Sequence, residues 1–367
     1  MKRTELQARA RTKAKWRRVA PGAAPGAALD TAPGAAPGTV RHAAPGVVQA
    51  RRVARLALAL LLAITLATML VGCAQGAAPD EPAAPQEAQA ASTAITVTDM
   101  YDRTVTLAGP ATQVVALTAA DCEILYAIGA GSTLVGRGEY CDYPAEVLAV
   151  PAVESGMSTN IEQIIALKPQ LVLMGSMAQD RAQVDQLEQA GIAVCVSGAT
   201  DIAGTYTAIG LIGTLLGKEA AATAVIDEMK ATFANLQAKA TDKQAGSIYF
   251  EVQPLEFGLW AAGGNTFMDE VARMLGLTNI FGDLDGWVGV SEEQVLQRDP
   301  NFIVTVEMYI DGAQTPTEKV LSRTGWEDVA AIKDGAVLNL RDNELSRPGP
   351  RLAQGAQLLY DFVYGVS

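Results

Sequence analysis

The rhythm of apolar and polar positions changes along this chain, and each change marks an element. Residues 1–50 carry no rhythm: basic side chains give way to Ala-Pro-Gly repeats that cannot build a core. An unbroken apolar run spans 56–71. Residues 74–94 are mostly Ala, Pro, Gln and Glu without period and read as a flexible tether. From 95 onward short β-type and longer helix-type patterns alternate. Apolar residues at 95–97 and 104–107 flank Asp99-Met100-Tyr101-Asp102-Arg103, which predicts a hairpin. Strands follow over 114–117, 134–136, 171–174 and 193–196. Helices fall between them over 121–128, 161–167 and 181–189, and another runs from an Asp201 cap to 216.

Residues 218–240 form the longest helical stretch, free of Gly and Pro and rich in Ala, Glu, Lys and Met. At about 1.5 Å per residue it is roughly 35 Å long. Beyond it the alternation resumes: strand 247–252, helices 267–275 and 292–296, strand 302–306, helix 326–332, strand 337–340 and a terminal amphipathic helix over 352–364. The pattern predicts an α/β fold of two similar lobes with largely parallel sheets, a cleft between them and one connector helix. The segments are an extension over 1–55, an apolar segment over 56–73, the tether 74–94, a first lobe 95–217, the connector 218–242 and a second lobe 243–367.

One phrase is written twice. Glu162-Gln163-Ile164-Ile165 leads to Pro169 and Leu171-Val172-Leu173, and Glu293-Gln294-Val295-Leu296 leads to Pro300 and Phe302-Ile303-Val304. Each copy reads as an acidic helix start, a short helix, a proline stop and a buried strand. The copies lie 131 residues apart, about one small domain. Two lobes that each present one glutamate at the same place suit a two-fold symmetric partner.

Composition narrows the chemistry. The apolar run 56–71 sits behind Arg51, Arg52 and Arg55 and ends in Leu70-Val71-Gly72-Cys73. It is shorter than the roughly 20 residues that span a bilayer and has the layout of a secretory signal. Its last four residues look like a bacterial lipobox, which makes Cys73 the expected lipidation site and mature N-terminus. The basic stretch before Arg51 is long for a signal, and translation from Val47 or Val48 would remove it. Residues 1–72 hold 12 of the 28 basic and 2 of the 40 acidic residues, so the remainder has 16 basic and 38 acidic residues and a net charge of −22. Nucleic acid and anionic lipid surfaces would repel such a body, so attachment to a membrane falls to the lipid. The one histidine, His42, lies in the leader. The processed chain would lack Ser-His-Asp and Cys-His catalysis and the usual nitrogen ligand for metals. Cys195 lies in an apolar run, whereas Cys122 and Cys141 fall at strand-to-helix edges. Whether those two bridge depends on how closely the fold brings them together.

The repeat, the connector and the lipobox together resemble the solute-binding lipoproteins of ABC importers for ferric siderophores, haem and cobalamin. The resemblance spans 95–367. Its landmarks in the first lobe are 114–129 with Glu123, Tyr140-Cys141-Asp142-Tyr143-Pro144, and Asn160-Ile161-Glu162 through Lys168-Pro169. In the second they are Trp287, Ser291-Glu292-Glu293-Gln294, Asp299-Pro300 and Arg347-Pro348-Gly349-Pro350-Arg351. The resemblance implies a binding protein, not an enzyme, with no cofactor of its own. Its ligand would be a metal chelate: cobalamin, a ferric siderophore or haem. Its partners would be a permease dimer and the attached ATPase, with Glu162 and Glu293 docking on permease arginines. Candidate cleft residues are Arg137, Tyr140, Tyr143 and Met157 in the first lobe, and Trp260, Trp287, Tyr309, Arg341, Arg347 and Arg351 in the second. Aromatic side chains wall large planar ligands, and arginine forks pair with anionic oxygens. Trp287 and Tyr140 or Tyr143 match aromatic positions of cobalamin binders. A sensor or adhesin on the same fold, and a carboxylate-dependent surface hydrolase, are the competing readings.

Overall fold

The computed structural model describes residues 94–155, 159–175, 181–306, 314–340 and 343–365. All of them fall in one compact unit that begins at Glu87. The leader, the lipobox and the tether lie outside the described residues. Among the described residues no helix is long and apolar enough to cross a membrane.

A two-stranded hairpin opens the body, β1 (Ile95–Thr98) against β2 (Thr104–Leu107). Buried Asp99 organises its turn by accepting from the Tyr101, Arg103 and Val196 amides and from the Arg103 guanidinium. The first-lobe sheet has five parallel strands in the order β5 (Ala152–Val153), β4 (Leu134–Gly138), β3 (Val114–Ala116), β6 (Leu171–Met174) and β7 (Ala193–Val196). Helices α1 (Ala119–Ala127), α2 (Ile161–Ala166), α3 (Arg181–Gln189) and α4 (Ile202–Leu215) complete the lobe. Every residue of β3 and β6 is buried, as a parallel sheet covered on both faces requires.

Helix α5 (Glu219–Ala240) is the connector, one residue shorter at its start than the sequence pattern predicts because Lys218 is its cap. It packs on α4 of the first lobe and on α6 and α10 of the second.

The second sheet runs β11 (Trp287–Gly289), β9 (Trp260–Ala262), β8 (Gly246–Gln253), β12 (Phe302–Thr305) and β13 (Val337–Asn339), with β10 (Leu277–Asn279) also beside β8. Strands β10, β8, β12 and β13 are parallel, whereas β9 runs antiparallel to both of its neighbours, β8 and β11. Helices α6 (Phe267–Met274), α7 (Glu292–Arg298), α8 (Pro316–Leu321), α9 (Ala330–Lys333) and α10 (Leu352–Tyr364) pack around it. The predicted helix over 326–332 shrinks to α9, because Trp326 turns into the core and is fully buried there.

The lobes repeat one plan. In each, a strand pairs in parallel with a later one, β3 with β6 and β8 with β12. In each, a threonine caps the first helix: Thr118 accepts from the Asp121 amide, and Thr266 from the Asp269 amide. The duplicated phrase repeats in three dimensions too. Helices α2 and α7 are capped by Asn160 and Ser291, and each motif ends in a left-handed residue before proline, Lys168 at φ 51° and Asp299 at φ 41°.

Candidate functional site

Charge and aromatic side chains from both lobes meet around one buried carboxylate. Glu123 points from α1 and is 3% exposed. Arg351, at the start of α10, donates to both of its oxygens, from Nε at 3.0 Å and Nη2 at 2.6 Å. Arg347 Nη1 donates to the same carboxylate at 3.1 Å and to Asp142 at 2.6 Å, and Nη2 reaches the Tyr140 carbonyl at 3.3 Å. The Arg351 guanidinium also stacks 3.8 Å above the Tyr143 ring, a cation–π contact. Burial works against both charges, yet the carboxylates outweigh it and hold the two arginines above the usual arginine pKa: Asp142 and Glu123 for Arg347, Glu123 for Arg351.

The loop after β4 supplies the first-lobe half of this cluster. Gly138 starts it where the chain runs against the Leu117 carbonyl and the Ser155 hydroxyl, leaving no room for a Cβ. Arg137, half-buried on β4, spans the loop from within. Its guanidinium donates to the carbonyls of Val150, Gly138, Glu139 and Cys141. Tyr140 is 57% exposed and Tyr143 also faces solvent.

The second lobe contributes an aromatic ribbon. Trp260 and Trp287 lie on the antiparallel strands β9 and β11, with Trp260 opposite Gly289 and Trp287 opposite Ala262. Trp260 is 44% exposed, whereas Trp287 is half-buried with its ring 5.4 Å from Phe267. Phe257, in the turn between β8 and β9, is 77% exposed.

The structure therefore gathers Arg137, Tyr140, Tyr143, Arg347 and Arg351 in one contact network and sets Trp260 and Trp287 on a shared ribbon. Met157, Tyr309, Arg341 and Cys73 lie outside the described residues. A cavity of about 890 Å³ opens elsewhere on the second lobe, among Asp269, Arg273, Asn279, Asp283 and Arg298. Its charges are paired, Arg273 with Asp269 and Arg298 with Asp283, and it includes no residue of the cluster above. Among the described residues no group of three or more Cys, Asp or Glu side chains is arranged to hold a metal ion.

Glu162 and Glu293 are exposed at the second position of α2 and α7. Hydrogen bonds from its own amide and the Ser291 hydroxyl lower the Glu293 pKa, so it is ionised at neutral pH. Its neighbour Glu292 faces inward and accepts from the indole Nε1 of Trp326 at 2.8 Å. Trp326 in turn lies under Arg323, which forms a buried two-pronged pair with Glu251 at 2.6 Å on each arm. Only one of the two adjacent acids is thus presented to solvent.

Sequence reading missed Glu123 and Asp142 as partners of the arginines. The signal for Glu123 was present: a carboxylate inside the otherwise apolar Cys122-Glu123-Ile124-Leu125 needs a buried cation.

The model of the periplasmic binding protein family matches residues 114–344. An uncharacterized ABC transporter substrate-binding lipoprotein of Bacillus subtilis, YvrC, is 32% identical over 312 residues, which is 83% of this chain and 95% of that protein. A vitamin B12-binding protein of Photorhabdus laumondii is 29% identical over 250 residues, 67% of this chain and 86% of its own. Among solved structures, a possible iron-binding periplasmic solute-binding protein of Staphylococcus epidermidis superposes with a TM-score of 0.57 at 27% identity, covering 69% of this chain and 99% of that one.

Proposed function

The chain belongs to the periplasmic binding protein family, and from that premise we propose that it is the lipid-anchored substrate-binding component of an ABC importer for a metal chelate. The observation that carries the reading is the duplicated pair of exposed acids, Glu162 and Glu293, at matching positions of α2 and α7 in two lobes built alike. A helix macrodipole accounts for one acid in a first turn, not for the same position twice. Two matched carboxylates, one per lobe, fit a dimeric permease that offers one basic site from each half.

The ligand is held between the lobes by the exposed loop of Tyr140 and Tyr143 and the ribbon of Trp260 and Trp287. Rigid aromatic rings supply contact area at low entropic cost. Arg137, Arg347 and Arg351 already have acceptors inside the protein, which tilts the chemistry away from a highly anionic ferric siderophore. A corrinoid, large and edged with uncharged amide and methyl groups, suits these walls best. Lipid on Cys73 holds the protein at the outer face of the membrane, a reading that rests on Leu70-Val71-Gly72-Cys73.

Tryptophan fluorescence of the purified protein, titrated with cyanocobalamin, a ferric hydroxamate and haemin, tests the ligand class. Saturable quenching by cyanocobalamin without chemical change supports the proposal. Quenching by the hydroxamate alone moves it to siderophores, and indifference to all three rejects a chelate carrier. Loss of radiolabelled palmitate from a Cys73→Ala variant tests the anchor.

A further inference from the structure

Cys122 and Cys141 come from different elements and point at one atom. Cys122 lies in α1 and Cys141 in the loop after β4. Their sulfurs stand 3.8 Å and 3.9 Å from the same acceptor, the carbonyl oxygen of Ala116 at the end of β3. Both residues are fully enclosed, at 0% and 1% exposure. The neighbouring Cys141 side chain, ahead of burial, raises the Cys122 pKa.

We propose that Cys122 and Cys141 are a disulfide site, joined when the protein folds in an oxidising extracytoplasmic space. The location rests on the function proposed above; the geometry does not. One cysteine thiolate attacks a disulfide of a protein thiol oxidant, forming a mixed disulfide and releasing one oxidant sulfur as thiolate. The second cysteine, as thiolate, displaces the oxidant's remaining sulfur. The S–S bond of the oxidant breaks, that of the protein forms, and two electrons and two protons pass to the oxidant as a dithiol. Both sulfurs are buried out of reach of an oxidant, and the raised Cys122 pKa keeps that thiol protonated in the folded protein. The bond therefore forms before α1 and the loop close over the pair, and once closed it resists reduction.

The placement gives the bridge a purpose. Cys122 precedes Glu123, and Cys141 lies between Tyr140 and Asp142. These neighbours supply the Glu123 carboxylate, the Tyr140 carbonyl and the Asp142 carboxylate that hold Arg347. A bond between the cysteines staples the two first-lobe elements that grip the second lobe. All three cysteines among the described residues are free in the structure; Cys195, on β7 and outside the pair at Ala116, is expected to stay reduced.

The test uses the full chain from intact cells, quenched in acid, alkylated under denaturing conditions and cut with trypsin without reduction. Peptides 104–137 and 138–181 are expected as one species joined through Cys122 and Cys141, with Cys195 alkylated as the internal control. The same peptides recovered separately, each alkylated, overturn the proposal. A chain retained in the cytoplasm is recognised by its protection from a membrane-impermeant label. For such a chain, refolding with oxidised and reduced glutathione decides the bridge, joined peptides supporting it and separate ones overturning it. Cys122→Ser and Cys141→Ser should each lower the thermal midpoint as much as the double substitution does. Additive losses would mean that the two thiols act independently, against the proposal.

Discussion

Arg347 and Glu123 stand 224 residues apart in sequence and 3.1 Å apart in the fold. One is in the turn before the last helix and the other in the first helix, so this contact ties the lobes together. Each lobe also reaches the other through α6, where Glu270 accepts from the Ile202 amide at 2.8 Å.

Glu123 holds two guanidiniums in a buried setting, and its removal leaves Arg351 without its carboxylate while Arg347 keeps only Asp142. Glu123→Ala should destabilise the protein by about 3–5 kcal/mol, the range for an uncompensated buried charge. Urea unfolding followed by circular dichroism measures it. A loss below about 1 kcal/mol, as for an exposed pair, would mean that the cluster is solvated.

The adjacent acids of α7 should separate cleanly. Glu293→Arg together with Glu162→Arg should abolish uptake of the labelled ligand while leaving its affinity in solution unchanged. Glu292→Ala should leave uptake intact and cost about 1–3 kcal/mol of stability, because the Trp326 indole loses its acceptor. Uptake that survives the double charge reversal would remove the docking role.

Asp121 is fully buried, and burial pushes its pKa from 3.8 up to about 6 despite hydrogen bonds from Ser197 and Thr118. A folded-state pKa above the unfolded value gives stability that is fully present below pH 4 and is lost as pH rises through about 6. The shift corresponds to on the order of 3 kcal/mol. The stability difference between the parent and Asp121→Asn should therefore change between pH 4 and pH 7, the parent losing ground as pH rises. A difference that stays flat across that window would show that Asp121 is ionised throughout.

Trp260 is exposed on β9 at the proposed cleft. Trp260→Ala should weaken the cognate chelate by about tenfold, near the 1.4 kcal/mol that tenfold represents. Leu148→Ala, an exposed first-lobe control, should leave affinity unchanged. Equal effects in isothermal titration would count against the ribbon as a ligand wall.

The repeat was legible because its signals are local. A capping residue, an acidic first turn, a proline stop and a β-branched strand need no distant partner, and α2 and α7 fall where the pattern puts them. The connector and α10 were read from composition and period alone, within a residue or two at each end. Strands β9, β10 and β11 were not, since each has only three residues and their order depends on pairing with β8. Trp326 misled the helix prediction because its burial is decided by Glu292 and Arg323, not by its neighbours in sequence. The Glu123 cluster stayed hidden for the same reason: sequence displays an acid and two arginines, and only the closed chain shows that they neutralise one another.

Helix α5 braces α4 on one side and α6 and α10 on the other. A frame held by such a strut changes its outline little when cargo arrives. If Glu162 and Glu293 dock on a permease as proposed, that transporter would meet nearly the same two acids whether the protein is full or bare. On that reading empty and loaded copies would compete for one landing place, and an excess of vacant carriers would slow delivery however tightly each one grips.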